Sequence, residues 1–109
     1  MYARIAQFKC VEGKKKDLVQ GYKDSMPLLN SQDGLRHVVL MSDPNGDGVI
    51  SVSIWDTKEQ IEESEKPGKY MDEALPYISP YQQQRPNFQH WEVHVLDIFN
   101  NDMLDKKST

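Results

Sequence analysis

Val49-Ile50-Ser51-Val52-Ser53-Ile54-Trp55-Asp56-Thr57-Lys58-Glu59-Gln60 changes its period midway, and that change decides the fold. Val49–Trp55 alternates cleanly, with Ile50, Val52 and Ile54 on one side and Ser51, Ser53 and Trp55 on the other, the two-residue repeat of a strand. Thr57-Lys58-Glu59-Gln60 then has the form of a capping box, in which Thr and Gln satisfy each other's free backbone donors, so a helix begins there. On the upstream side, Asp43-Pro44-Asn45-Gly46-Asp47-Gly48 is a dense turn signal. It joins Val49–Trp55 to the β-rich Leu35–Met41 as a hairpin, with Val38 and Leu40 on one face and Leu35, His37 and Val39 on the other.

Working outward, Tyr2–Cys10 mixes Ile5, Phe8 and Cys10 with polar residues and reads as a strand. Gly13 opens a helical stretch in which Leu18, Val19, Tyr22, Met26 and Leu29 recur at spacings of three and four. Pro27 lacks an N–H, so the helix breaks near Met26 and restarts for a turn before ending at Asp33-Gly34. The helix begun at Thr57 is interrupted at Pro67-Gly68, and a second piece from about Lys69 to Ile78 carries Tyr70, Met71, Ala74 and Leu75. Ser79–Asn87, with two prolines and three consecutive glutamines, reads as an exposed loop. Phe88–Asp97 is the last strand, with Trp91, Val93 and Val95 on its apolar face and His90, Glu92 and His94 opposite.

The order is β-α-β-β-α-β. The simplest burial of these faces is an α+β, ferredoxin-like sandwich: a four-stranded antiparallel sheet with both helices on one face. Residues 1–98 form this domain and 99–109 a polar C-terminal tail. The helices are expected over Val38, Leu40, Ile50, Val52, Ile54, Trp91, Val93 and Val95. The other face, with His37, Val39, Met41, Ser51, Ser53 and Trp55, is too apolar to be simply solvated. A second copy of the chain is expected to cover it, giving a homodimer through the sheet face, in the manner of a dimeric α+β barrel.

A chain of 109 residues suggests one domain. Its net charge of −4, with Lys14-Lys15-Lys16 as the only basic cluster, argues against nucleic acid as a partner. One cysteine, Cys10, permits no intramolecular disulfide and favours a reducing compartment. No stretch approaches the ~20 apolar residues of a membrane span and no apolar leader is seen, so the expectation is a soluble cytoplasmic protein without membrane partners.

The chain resembles the antibiotic biosynthesis monooxygenase (ABM) domains. The resemblance rests on Gly13-Lys14 before the first helix, Gly34-Leu35-Arg36 entering the second strand, and Val52-Ser53-Ile54-Trp55-Asp56 leaving the third. It extends over about residues 2 to 97. Such domains pair sheet to sheet and hold small molecules in a cleft between helices and sheet. The family includes cofactor-free quinol-type oxygenases, haem-degrading enzymes, signal-molecule isomerases and proteins of no known activity. The sequence departs from it at two places: Ser53 replaces an acidic residue common before the Val/Ile-Trp pair, and about Ser64 falls where a helix histidine is often found. The haem-degrading branch would call for Asn, Trp and His near Ala6, Ser64 and Ala74, which argues against that activity.

Several groupings in the sequence have the residue types of chemical sites. Asp43-x-Asn45-x-Asp47-Gly48 imitates half of a calcium loop, but Ile54 stands at the twelfth position, where a bidentate Glu is required, and a plain turn is expected. His90 and His94 lie roughly 13 Å apart along a strand, too far for one zinc, although a partner chain's groups could complete a site. Lys14–Lys16 reads as a solvated charge run. Cys10 has no His or Arg near it in sequence to activate it. Neither metal nor cofactor is called for. Tyr22, Met26, Trp55, Tyr70 and Met71 could serve either as core or as the lining of an aromatic pocket, where the resemblance places its cleft. In the pocket, Tyr22 and Tyr70 would hydrogen-bond the substrate, with Trp55 and Met26 as wall.

Two functions follow. One is a cofactor-independent monooxygenase acting on a small aromatic or quinol-like molecule, whose deprotonated form itself gives an electron to oxygen. The other is a non-catalytic or isomerase-like dimeric module that binds a small ligand.

Overall fold

The structure, a computed structural model, describes residues 1–97. Its elements run β1 (Tyr2–Lys9), α1 (Lys15–Asp24), α2 (Met26–Asn30), β2 (Leu35–Ser42), β3 (Gly48–Trp55), α3 (Lys58–Ser64), α4 (Tyr70–Ala74) and β4 (Asn87–Glu92), with single 3₁₀ turns at Leu75–Tyr77 and Ser79–Tyr81. The sheet order is β2-β3-β1-β4 and every pairing is antiparallel. This is the expected ferredoxin-like α+β architecture. The tail expected at 99–109 lies outside the described residues.

Local chemistry accounts for the breaks. The capping box is present in full, with Gln60 N–H donating to Thr57 Oγ1 and Thr57 N–H to Gln60 Oε1. Pro27 stands in the first turn of α2, where its missing donor costs nothing. Gly68 adopts φ +77° between α3 and α4, a left-handed conformation that favours glycine. In the hairpin, Asp43 Oδ1 accepts from Asn45 N–H, and Lys15 Nζ donates to the carbonyls of Asp43 and Gly46 at 2.6 and 2.7 Å. A lysine thus fastens a turn whose sequence half-imitates a calcium loop. The segment read as an exposed loop after Ile78 is in part zipped to the end of β1, with Val11 N–H donating to Tyr81 O and Gln83 N–H to Lys9 O.

The structure corrects the assignment of sheet faces. On β3 the helices cover Val49, Ser51, Ser53 and Trp55, all buried, while Ile50 and Val52 lie half-buried and Ile54 buried on the opposite side. On β4, Phe88 and His90 pair with Ala6 and Arg4 of the helix side, whereas Trp91 is turned outward and 56% exposed. β4 also ends at Glu92 rather than Asp97, so Val93 and Val95 add nothing to the sheet's core face. On β2 the expectation holds for Val38 and Leu40 against the core and Val39 and Met41 exposed, but Leu35, expected outward with His37 and Val39, packs on the core because the pairing with β3 shifts register between Leu35 and His37.

The physical reason for the inversion is polar satisfaction. Arg4 and Ser53 can be buried there because Arg4 Nη1 donates to Ser64 and Glu65 and Ser53 Oγ accepts from Trp55 Nε1. The more apolar face, with Ile5, Val39, Met41, Ile50, Val52 and Trp91, is the one that no layer of this chain covers among the described residues.

Candidate functional site

β1 is a central strand, and its inward residues Arg4, Ala6 and Phe8 alternate along the floor of the helix-covered face. α1 brings Tyr22 over this floor, α4 brings Tyr70 and Met71, and β4 closes one side with Phe88. Between them is a cavity of about 30 Å³, also bordered by Ser51. That is room for about one water. Phe8 and Tyr22 meet edge to face at 6.2 Å and hold one wall.

Arg4 dominates the site. It is 4% exposed and its guanidinium lies over three rings, at 5.3 Å from Trp55, 5.9 Å from Tyr70 and 5.7 Å from Phe88. Nη1 donates to Ser64 Oγ at 2.7 Å and to Glu65 Oε2 at 3.3 Å. Glu65 in turn is bonded by His90 Nε2, at 2.8 Å to Oε2 and 3.1 Å to Oε1. A chain of polar contacts therefore runs from the cavity through Arg4 and Glu65 to His90 at the surface. Trp55 Nε1 donates to Ser53 Oγ at 2.9 Å, which fixes the indole beneath the guanidinium. Ser53 and Ser64, the two departures from the family pattern, both belong to the surroundings of Arg4.

The cavity is lined by hydrogen-bond donors. Burial pushes the Tyr22 phenol above its usual value, with the Ser51 hydroxyl and Arg4 pulling partly back. Burial raises Tyr70 further, helped by Tyr22 and opposed by Arg4. Both phenols therefore stay protonated. Among the described lining residues there is no carboxylate, imidazole or thiol. Such a surface stabilises negative charge on a ligand and supplies no strong base of its own. Cys10 is buried near the far end of β1, and burial raises its thiol. Among the described residues no group of three or more His, Cys, Asp and Glu is placed to hold a metal ion.

Of the five residues read as pocket candidates, Tyr22, Tyr70 and Met71 line the cavity. Trp55 lies behind Arg4, 1% exposed, and acts on the site through the guanidinium. Met26 is not at the cavity; it borders a separate groove with Val19, Val38 and Leu40. Arg4 and Glu65 have no place in the sequence reading, which takes His90 only as a metal-ligand candidate and Ser64 only as a departure from the family pattern. Arg4 carried a usable signal: it lies in phase with Ala6, Phe8 and Cys10 in the strand alternation, a charge on the side that must be buried.

Sheet order, helix placement and a small, partly aromatic cavity between them define a ferredoxin-like α+β domain. The chain belongs to the antibiotic biosynthesis monooxygenase family, whose model matches residues 1–71. Solved structures share the fold. One is a Bordetella bronchiseptica protein described as a candidate antibiotic biosynthesis monooxygenase, with TM-score 0.76 and 20% identity, covering 87% of this chain and 97% of that one. The NE2512 protein of unknown function from Nitrosomonas europaea has TM-score 0.73 and 12% identity, covering 91% and 94%. SnoaB from Streptomyces nogalater, a cofactor-independent oxygenase, has TM-score 0.69 and 10% identity, covering 87% and 94%. Comparison with curated proteins gives no match. Among the described residues, no helix is long and apolar enough to cross a membrane.

Proposed function

We propose that this protein is a cofactor-independent monooxygenase that oxidises a small, electron-rich aromatic or quinol-like molecule in the cavity between sheet and helices. The observation that carries this reading is a lining without carboxylate, imidazole or thiol, with two protonated tyrosines and a guanidinium around one apolar space. A substrate with an acidic C–H or O–H supplies its own electrons once deprotonated. It passes one to dioxygen, and the resulting pair recombines. For an activated methylene, one oxygen atom becomes the product carbonyl and the other leaves as water with the two hydrogens of that carbon. No external reductant is required. The protein's part is to desolvate and orient the substrate and to stabilise the charge that develops.

The cavity must widen to admit such a molecule. α4 is the element suited to move, being five residues long and set off from α3 by Pro67-Gly68. The second reading is a non-catalytic or isomerase-like module that binds a small ligand. Oxygen uptake separates the two, because the first requires it and the second forbids it. A homodimer through the outer sheet face is part of the proposal, with Ile5, Val39, Met41, Ile50, Val52 and Trp91 meeting their counterparts in a second copy.

A further inference from the structure

We infer that a groove outside Tyr70 is the entrance to the cavity, that the Tyr70 side chain is its gate, and that carboxylates on the groove's rim admit neutral and cationic molecules ahead of anionic ones. The inference concerns entry. It rests on the site assigned above for the cavity's role and does not depend on turnover there. The cavity has room for about one water, and a second space of about 410 Å³ lies between the Gln32-Asp33 turn, α3 and the start of α4. Tyr70 is the one residue that borders both spaces. The groove also reaches Trp55 and Ser64, each of which touches Arg4, a residue of the cavity lining. The two spaces therefore stand back to back, with Tyr70 as the partition.

Tyr70 is suited to swing. It is buried, yet among the described residues its hydroxyl forms no hydrogen bond. Packing holds the ring, together with the Arg4 guanidinium 5.9 Å from its centre, and a rotation breaks neither a hydrogen bond nor an ion pair. Tyr70 is also the first residue of α4, two positions after Gly68, whose φ of +77° and open surroundings mark the break from α3. The rim of the groove carries Asp33, Glu63 and Glu73 against one ammonium, Lys69. Glu63 is bridged by Lys66 and Lys69, while Asp33 and Glu73 enter no ion pair among the described residues. Uncompensated negative charge at a narrow mouth depletes anions there and concentrates cations, within about a Debye length.

The test uses the full chain with a thiol on the cavity floor, Ala6→Cys in a Cys10→Ser background. Ala6 lines the cavity and is not at the groove. The thiol is reacted with methanethiosulfonates bearing a neutral methyl, a trimethylammonium or a sulfonate group, and each rate is divided by that of a free thiol peptide. Labelling needs neither substrate nor oxygen, so this inference and the oxygenase reading fail separately. Tyr70→Ala should raise the neutral reagent's rate about tenfold or more, and Tyr70→Phe, which keeps the ring, should leave it within about twofold. Tyr22→Ala enlarges the same cavity away from the groove and should raise the rate less; an equal or larger rise would overturn the gate. Asp33→Asn with Glu73→Gln should lower the ratio of cationic to anionic rates about threefold or more at low salt, an effect lost at about 0.5 M salt. Arg4 acts on both reagents in every variant, so the change in the ratio reads the rim. Asp33 and Glu73 are exposed, so this arm stands even where the Tyr70→Ala chain fails to fold. An unchanged ratio would overturn the groove as entrance, as would a parent thiol that none of the reagents modifies.

Discussion

Arg4 Nη1 donates to Ser64 Oγ at 2.7 Å, and the same hydroxyl donates to the Ile61 carbonyl at 2.7 Å. One buried serine thus couples a central strand to the last turn of α3, and so fixes where the cavity's charge sits. Ser64→Ala leaves the Arg4 donor without its closest partner in a buried site. The expected cost is about 1–3 kcal/mol, read from denaturant unfolding with an unchanged slope. A loss below about 0.5 kcal/mol, the range of an ordinary surface change, would show that Glu65 alone suffices to hold the guanidinium.

Gly21 faces the 3₁₀ turn from α1, and a Cβ built there would overlap the Tyr77 carbonyl oxygen. In an exposed helix interior, Gly→Ala stabilises by about 0.5–1 kcal/mol. Here the obstacle is backbone, so Gly21→Ala should destabilise and lower the midpoint of thermal unfolding. A raised midpoint would mean that α1 and the turn can separate at little cost.

The outer sheet face should be a dimer interface. Val52 is a half-buried residue on the central strand β3, and Val39 pairs with it while standing 51% exposed. Val52→Asp puts a charge into the middle of the patch and should yield a monomer by light scattering at micromolar concentration. A parent protein that is already monomeric, or a variant that remains dimeric, would contradict this.

Alkaline titration should report the two cavity tyrosines. In the folded chain both phenols are held above their usual value of 10.0. Between the unfolded and folded values the unfolded chain binds fewer protons, so stability is intact below about pH 10 and falls as pH rises beyond it. Ultraviolet absorbance should show tyrosine ionisation that is delayed until unfolding and absent in a Tyr22→Phe, Tyr70→Phe double variant. Full ionisation of all five tyrosines in the folded protein near pH 10 would place Tyr22 and Tyr70 in water.

Much of the architecture was legible in the sequence because it rests on local signals. Thr57 with Gln60 announced a helix start, Pro27 and Pro67-Gly68 announced breaks, and Asp43–Gly48 announced a hairpin. The sheet faces were not legible by apolarity alone. Ser53 and Arg4 lie inside because Ser53 Oγ donates to the Arg4 carbonyl and Arg4 Nη1 donates to Ser64, pairings that join distant parts of the chain. Tyr22, Tyr70 and Met71 could be placed at the cavity from helical spacing, since a stripe that faces the sheet also faces any gap above it. Met26 shares that stripe but follows the break before Pro27, which turns it toward β2 instead. Arg4, the residue on which the site depends, was passed over although its phase with Ala6 and Phe8 pointed inward.

Oxidation in this cavity with no added cofactor is measured by following dissolved oxygen over the purified, chelator-treated protein with a panel of anthrone-type and naphthol-type substrates. The expected result is substrate-dependent oxygen consumption above the uncatalysed rate, one oxygen per molecule of carbonyl product. That consumption should fall by about tenfold or more when Tyr70 is changed to Phe or Arg4 to Lys. Oxygen uptake no faster than in buffer, from protein shown to bind the same substrates, would contradict it and leave a ligand-binding module.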